Sequence, residues 1–261
     1  MTESRSTRSS PDGHEARVFA HAPEVWDAVP SLRAVAAVLP VPVAPEEQQR
    51  LGAAAEAHLR AIETGGDRGP ESSVRSVMAW RRVFADLGVR PTQYRCAAES
   101  LLRRLRTRGD LPRVHPLVDL GNALSVRWAV PVAVVDLDRV EGSLLVRRAI
   151  GDEVHDTFGG DVEHPAPGEM VYADGASHAH SRRWCWRQSA RSTVRPSTRT
   201  ALVVAEAVHE GGQADLDALA AALEAAVAAA GVTVAPTLLT AEQPALRLPP
   251  RERPVTSGSG A

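Results

Sequence analysis

"HPLVDLGNALSVRWAVPVAVVDLDRVEGSLLVRRA", residues 115–149, changes its periodicity half-way along. Its first part reads as a helix. Pro116 suits a first turn, where a missing N–H costs nothing, and Asp119 lies near the positive end of the helix dipole. Leu117, Leu120, Leu124 and Trp128 recur at helical spacing and make one apolar row. On another side Asp119 and Asn122 stand three apart and project together. Beyond Pro131 the pattern becomes that of strands: "PVAVVDLD" and "GSLLVRRA" are short, apolar and separated by Gly142.

The same strand pattern recurs downstream in "GEMVYAD", "SRRWCWRQ" and "TALVVAEAV", which makes five strands of a largely antiparallel sheet. An acidic amphipathic helix then runs from about Asp215 to Ala230. Upstream lie three helices in succession. The first has Pro45 ahead of Glu46 and Glu47 and is ended by "TGGDRG". The second should run from Glu71 to Leu87, with Val77, Trp80 and Phe84 in its apolar stripe and Gly88 as its stop. The third, "CAAESLLRRLRTRG", buries Leu101, Leu102 and Leu105 and turns Arg103, Arg104, Arg106 and Arg108 partly outward. Ahead of them "SLRAVAAVLPV" reads as a buried strand, on its valines and bounding prolines, although its alanines leave helix possible. No internal repeat is present. The expected fold is α+β: one domain over 17–240 with several helices packed beside a largely antiparallel sheet, between a disordered lead (1–16) and a disordered tail (241–261).

Composition excludes several functions. The formal net charge of −2 over 261 residues argues against a general polyanion binder, so any RNA contact should be local. All 30 basic residues are arginine, which makes each arginine less informative than it would be beside lysines. Cys96 and Cys185 are far apart, without zinc-ligand spacing, and a reducing, cytoplasmic compartment is expected. No apolar run reaches the roughly 18 residues of a membrane span, so no membrane partner is expected. There is no nucleophile elbow, phosphate loop or dinucleotide fingerprint, and no cofactor is expected. His178 and His180 have a spacing that suits a metal in a strand, but no third ligand is evident and no metal site is expected.

"SRRWCWRQSARSTVRPSTR", residues 181–199, holds six arginines and no carboxylate. In a strand Trp184 and Trp186 share one face, and Arg183, Cys185 and Arg187 the other. A half-buried structural strand has this pattern; so does a sheet face whose arginines meet RNA phosphates, with Arg183, Arg191 and Arg195 as the candidates. No Asp or Glu occurs from Gly175 to Ala205, so these arginines must find partners elsewhere in the fold or in a ligand. Glu206 then appears within "LVVAEAV". A carboxylate in an apolar strand is exposed at an edge, paired, or held for chemistry. Asn122 in a helix interior likewise serves either a buried loop or a ligand.

The stretch at 115–149 resembles the editing module of the phenylalanyl-tRNA synthetase beta chain. That module carries an Asn-Pro-Leu-Val-Asp-x-x-Asn helix start, a proline before the next strand, then Asp-Leu-Asp-Arg-Ile-Glu-Gly. The matching residues here are Pro116, Leu117, Val118, Asp119 and Asn122, then Pro131, then Asp136, Leu137, Asp138, Arg139, Glu141 and Gly142. The "RRWCWRQS" segment is similar to that of free-standing B3/B4 domain proteins, relatives of the module that lack the rest of a synthetase. The resemblance implies a trans-editing deacylase that hydrolyses the ester of a mischarged tRNA. Its partners would be the aminoacylated 3′ end of a tRNA and possibly the free amino acid. It implies that Asn122, Glu206 and Gln188 carry the reaction and that Asp119, Gly121, Ala133, Arg187 and Ser189 adjoin the substrate. Two departures stand out: Gly121 replaces a threonine of the synthetase, and Ala133 lies about where the synthetase has a histidine. Tyrosine specificity therefore does not carry over, and a protein that binds an amino acid or tRNA end without hydrolysis is the alternative.

Overall fold

In the strand that carries Glu206, Leu202, Val204 and Glu206 point to one side and Ala201, Val203 and Ala205 to the other, and all six are buried. A strand buried on both faces needs a covering layer on each, and that requirement organises the chain. The computed structural model describes residues 16–63 and 69–251. The chain runs β1 (Val18–His21), α1 (Pro23–Ala28), β2 (Arg33–Pro40), α2 (Pro45–Glu63), α3 (Arg75–Asp86), α4 (Ala97–Arg108), α5 (Pro116–Trp128), β3 (Val132–Asp136), β4 (Leu144–Arg148), β5 (His155–Asp156) and β6 (Val162–Glu163). It continues through β7 (Met170–Asp174), β8 (Ala179–Arg182), β9 (Arg187–Gln188), β10 (Thr200–Ala207), α6 (Gly212–Ala229), β11 (Thr237–Leu239) and β12 (Ala245–Arg247).

The fold is α+β, and its strands form two main sheets where one was expected. β10 is central in an antiparallel sheet of order β11-β2-β10-β3, paired with β2 from Thr200 opposite Pro40 to Ala207 opposite Arg33. Helices α2, α5 and α6 cover one face of it, with Leu51, Leu120 and Leu219 packed over Val35, Val203 and Ala205. The other face meets a six-stranded sheet of order β12-β1-β4-β7-β8-β9, in which β1 and β4 run parallel and the other neighbours antiparallel. Phe19, Leu144, Val146 and Tyr172 of that sheet pack with Leu202 and Val204. Their patterns explain the partition. β2 and β10 are nearly continuous apolar runs and take the middle layer, whereas β4 alternates, with Leu144 and Val146 inward, and lies outside it.

The helix expected from Glu71 starts at Arg75; Glu71–Ser73 is a single 3-10 turn and Val74 is extended. The break buries Glu71 against α4, where Arg106 and Arg103 reach its carboxylate at 2.8 and 3.2 Å. The Arg106 hydrogen bond outweighs burial and, with Arg103, lowers the Glu71 carboxyl to about 2. Arg104 pairs with Asp110 at 3.2 Å. Three of the four outward arginines of this helix are therefore occupied within the protein.

Residues 1–15 of the expected lead and 252–261 of the expected tail lie outside the described residues. The segment from Ala241, expected to be without structure, supplies β12, which pairs with β1 with Ala245 opposite Ala20, and then buries Leu248. Its prolines flank the three-residue strand rather than interrupt it, so they remove no ladder hydrogen bond. Burial of one leucine contributes about 1.5–3 kcal/mol. Ending the chain at Thr240 should lower the melting temperature by roughly 4–10 °C, at ~2–4 °C per kcal/mol for a chain of this size. An unchanged circular-dichroism melt would show that β12 adds nothing.

Candidate active site between the two sheets

Glu206 projects from β10 into the layer between the sheets and is 2 % exposed. Its Oε1 accepts hydrogen bonds from His21 Nε2 of β1 at 2.7 Å and Trp184 Nε1 at 2.8 Å. The Tyr172 phenol of β7 lines the same space, and burial first, then the Glu206 charge, push it well above its ordinary range. Two donors from the six-stranded sheet thus converge on one carboxylate of the other sheet.

The segment that delivers Trp184 is not the single strand expected. β8 and β9 form a hairpin, Arg182 opposite Arg187, closed by residues 183–186. Arg183 and Trp184 occupy the left-handed region, at φ 46° and 60°, at a cost of roughly 1–2 kcal/mol each. Three hydrogen bonds hold Trp184 there: its N–H donates to Met170 O at 2.7 Å, its carbonyl accepts from Ser181 Oγ at 2.7 Å, and its indole donates to Glu206. The turn separates the two tryptophans. Trp184 is buried edge-on to Trp80, while Trp186 lies half-buried beside Tyr94, with the Arg183 guanidinium 3.9 Å from the Tyr94 ring centroid and 4.7 Å from that of Trp186.

The arginines without local acids find partners on β5, β6 and the loop before β7. Arg182 is buried between Glu169, at 2.8 and 2.9 Å, and Glu163, at 2.6 Å. Arg183 is anchored through its backbone N–H to Glu169. Arg187 lies 3.6 Å from Glu163 and Arg191 3.8 Å from Asp156, both longer than a hydrogen bond. Arg195 is exposed and donates to Ala190 O.

A cavity of about 70 Å³ lies beside Glu206. Ala133, Val135 and Trp184 supply apolar wall, and Glu206, His180 and Gln188 supply polar groups, with half-exposed Arg187 beside them. Of the residues singled out in the sequence, Glu206, Gln188, Arg187 and Ala133 therefore come together. Gln188 donates its Nε2 to both Val134 O and Ser192 O, at 2.9 and 3.1 Å, so its amide protons are committed and its carbonyl oxygen is the group left. Asp119, Ser189, Asn122 and Gly121 do not line the cavity. Asp119 accepts from Val114 N at the start of α5. Ser189 is buried, donating to Asp156 O and accepting from Arg191 N. Asn122 is half-buried and makes no side-chain hydrogen bond to a described residue. Gly121 packs against Val132 and Val134, the side chains of β3 that alternate with Ala133. α5 belongs to the helical layer and Glu206 points into the layer on the other face of the sheet, so the structure does not bring together the Asn122 and Glu206 that the resemblance pairs.

His180, by contrast, was visible in the sequence only as half of an incomplete metal pair. It is 1 % exposed, lines the cavity, and its Nε2 meets Asp174 Oδ2 at 3.0 Å. Asp174 also accepts the backbone N–H groups of Glu141, Ala176 and His178. Burial opposes its charge, but the His180 bond and the backbone N–H groups outweigh that and hold its carboxyl well below the usual range. The Asp174-Gly175 step is itself a hairpin signal that places Asp174 near His180. No group of three or more potential ligands able to hold a metal occurs among the described residues, and none of their helices is long and apolar enough to cross a membrane.

Residues 79–226, more than half of the chain, match the B3/4 domain. The chain belongs to the B3/4 domain family. The match takes in every residue lining the cavity but leaves out β1, which supplies His21, and β2. The chain is also similar to a solved N-terminal fragment of the phenylalanyl-tRNA synthetase beta-subunit from Pyrococcus horikoshii, at 8% identity and a TM-score of 0.44, over 89% of this chain and 52% of that one. It therefore spans about half the length of that fragment. No curated protein matches it.

Gly121 has a structural reason to lack a side chain: a Cβ there would lie 2.8 Å from Val134 Cγ2, and valine is stiff at χ1. Gly121→Thr should destabilise the protein by about 1–3 kcal/mol through overpacking. Adding Val134→Ala should restore part of the loss in urea denaturation; equal midpoints for Gly121→Thr and the parent would refute this packing account.

Proposed function

We propose that this protein hydrolyses the ester joining an amino acid to tRNA, acting in trans on a mischarged tRNA. The observation that carries the proposal is a buried carboxylate, Glu206, lining a small and mostly apolar cavity within the B3/4 match. The ester is already activated towards water, so positioning the aminoacyl group and one water supplies most of what is required. Glu206 and the Gln188 carbonyl oxygen are acceptors, the chemistry that grips an α-ammonium group. Trp186, Arg187 and Arg195 are the groups proposed to meet the tRNA end, by stacking on a base and by pairing with phosphate. A net charge of −2 fits such a local contact better than one along the tRNA body.

The cavity also limits the substrate. At about 70 Å³ it is well under the ~150 Å³ of an engineered apolar cavity that takes up benzene. Esters of small amino acids should be hydrolysed at least tenfold faster than those of phenylalanine or tyrosine in a deacylation screen over matched tRNAs. Equal rates across the panel would remove the cavity from the specificity argument.

Ala133 and the committed amide of Gln188 favour a second reading, a protein that binds the aminoacyl end without turnover. Saturable binding with no hydrolysis across the full panel would establish it. Under the hydrolytic reading Glu206→Gln, which keeps an acceptor for His21 and Trp184, should lower kcat/KM by about 10–100-fold, equivalent to ~1.4–2.8 kcal/mol. Asn122→Ala, outside the cavity, should stay within about threefold of the parent. Parental turnover by Glu206→Gln would sink this site assignment.

A further inference from the structure

Glu206 is occupied. Its Oε1 already takes two donors, His21 Nε2 and Trp184 Nε1, which commits that oxygen to joining the two sheets. A hydrolytic cavity still needs a group that accepts a proton from water. The Cys185 thiol and the Tyr172 hydroxyl also line the cavity, but burial pushes both well above their ordinary ranges and disfavours the anions that would act as bases. Gln188 is neutral, and a guanidinium such as Arg187 has no lone pair to offer.

We infer that His180 is the general base of this cavity, with Asp174 fixing its tautomer. The inference rests on the hydrolytic reading above and adds the residue that moves the proton. Asp174 Oδ2 accepts from Nε2, so in the neutral ring Nε2 carries the hydrogen and Nδ1 the lone pair. Nδ1 is buried and has no hydrogen-bond partner among the described residues. His21, His115, His155, His178 and His209 also each carry a buried ring nitrogen without such a partner, but none of them lines the cavity. The constellation is an ionisable ring oriented by a buried carboxylate, next to an anchoring carboxylate on the opposite sheet, and it compensates for the apolar Ala133 on β3.

In the step this assigns, Nδ1 takes a proton from water as the water oxygen bonds to the ester carbonyl carbon. Asp174 stabilises the imidazolium formed. The imidazolium then returns the proton to the ribose oxygen as the carbon–oxygen bond of the ester breaks, releasing the amino acid and a tRNA with its ribose hydroxyl restored. No oxidant, metal or covalent enzyme intermediate enters the balance.

His180→Gln is the informative variant, because the glutamine amide can still donate to Asp174 where Nε2 did, while no lone pair replaces Nδ1. Turnover would be measured on the full chain with the best ester from the screen, and binding on the same preparation with an amide-linked aminoacyl-tRNA analogue that cannot be hydrolysed. Expressing kcat per analogue-binding site removes any contribution from misfolded protein. The expected result is a 10²–10⁴-fold fall in kcat with KM and analogue affinity within threefold of the parent. A kcat per site within fivefold of the parent overturns the assignment and leaves the hydrolytic reading standing. A parent that turns over no ester in the panel overturns both.

Discussion

One carboxylate ties the two sheets together. Glu206 belongs to the four-stranded sheet, and the groups that satisfy it, His21 and Trp184, come from β1 and the β8–β9 hairpin of the other. The layer around them is otherwise Phe19, Leu144, Leu202 and Val204, in which an unsatisfied carboxylate would be strongly destabilising. The cost of burying the carboxylate is met only if both elements hold their positions, so the spacing of the sheets, the turn that presents Trp184 and the cavity beside it depend on the same group. The arrangement also makes this carboxylate dual in character: it organises the core, and it lines the cavity in which we place the substrate.

The hairpin shows how that constraint propagates. Two consecutive non-glycine residues in the left-handed region are a local cost, and nothing in the sequence Arg183-Trp184 favours it. What favours it is tertiary: the turn lets Trp184 reach Glu206 and Trp80 while Trp186 stays at the surface with Tyr94. A flat strand would send both indoles to one side. Arg182, two residues before Trp184, is clamped by Glu163 and Glu169, which fixes the base of the same turn from outside. Strain at the tip is thus held by a core hydrogen bond on one side and a largely buried ion-pair group on the other.

What was legible in the sequence follows from how local each signal is. The start of α5 at Pro116, its apolar row and the strands after Pro131 are set by spacing and turn chemistry within a few residues, and they fold as read. The apolar context of Glu206 leaves exposure, pairing and chemistry open, and the structure shows it buried and paired. The alternation across Trp184 and Trp186 was misleading because a long-range bond outweighs strand periodicity. The division into two sheets escaped notice because apolar runs reveal burial on two faces but not which layer lies on each. Asn122, which the resemblance sets beside Glu206, lies on a helix across the sheet from it, a separation that no pattern within α5 or β10 reveals. His21 carried no local signal, since its partner is 185 positions away.

The arginines around the cavity form a gradient that bears on how a polyanion could be received. Arg182 is 10 % exposed in its side chain, with contacts of 2.6–2.9 Å to two glutamates, and removing it would leave a buried carboxylate without its partner. Arg187 and Arg191, at 38 and 34 % exposure, stand 3.6 and 3.8 Å from their acids, the regime in which an ion pair contributes little. Those loose pairs can be exchanged for phosphate oxygens at small loss, whereas the Arg182 clamp cannot. Glu163 of β6 therefore holds Arg182 tightly, while it and Asp156 of β5 hold Arg187 and Arg191 only loosely.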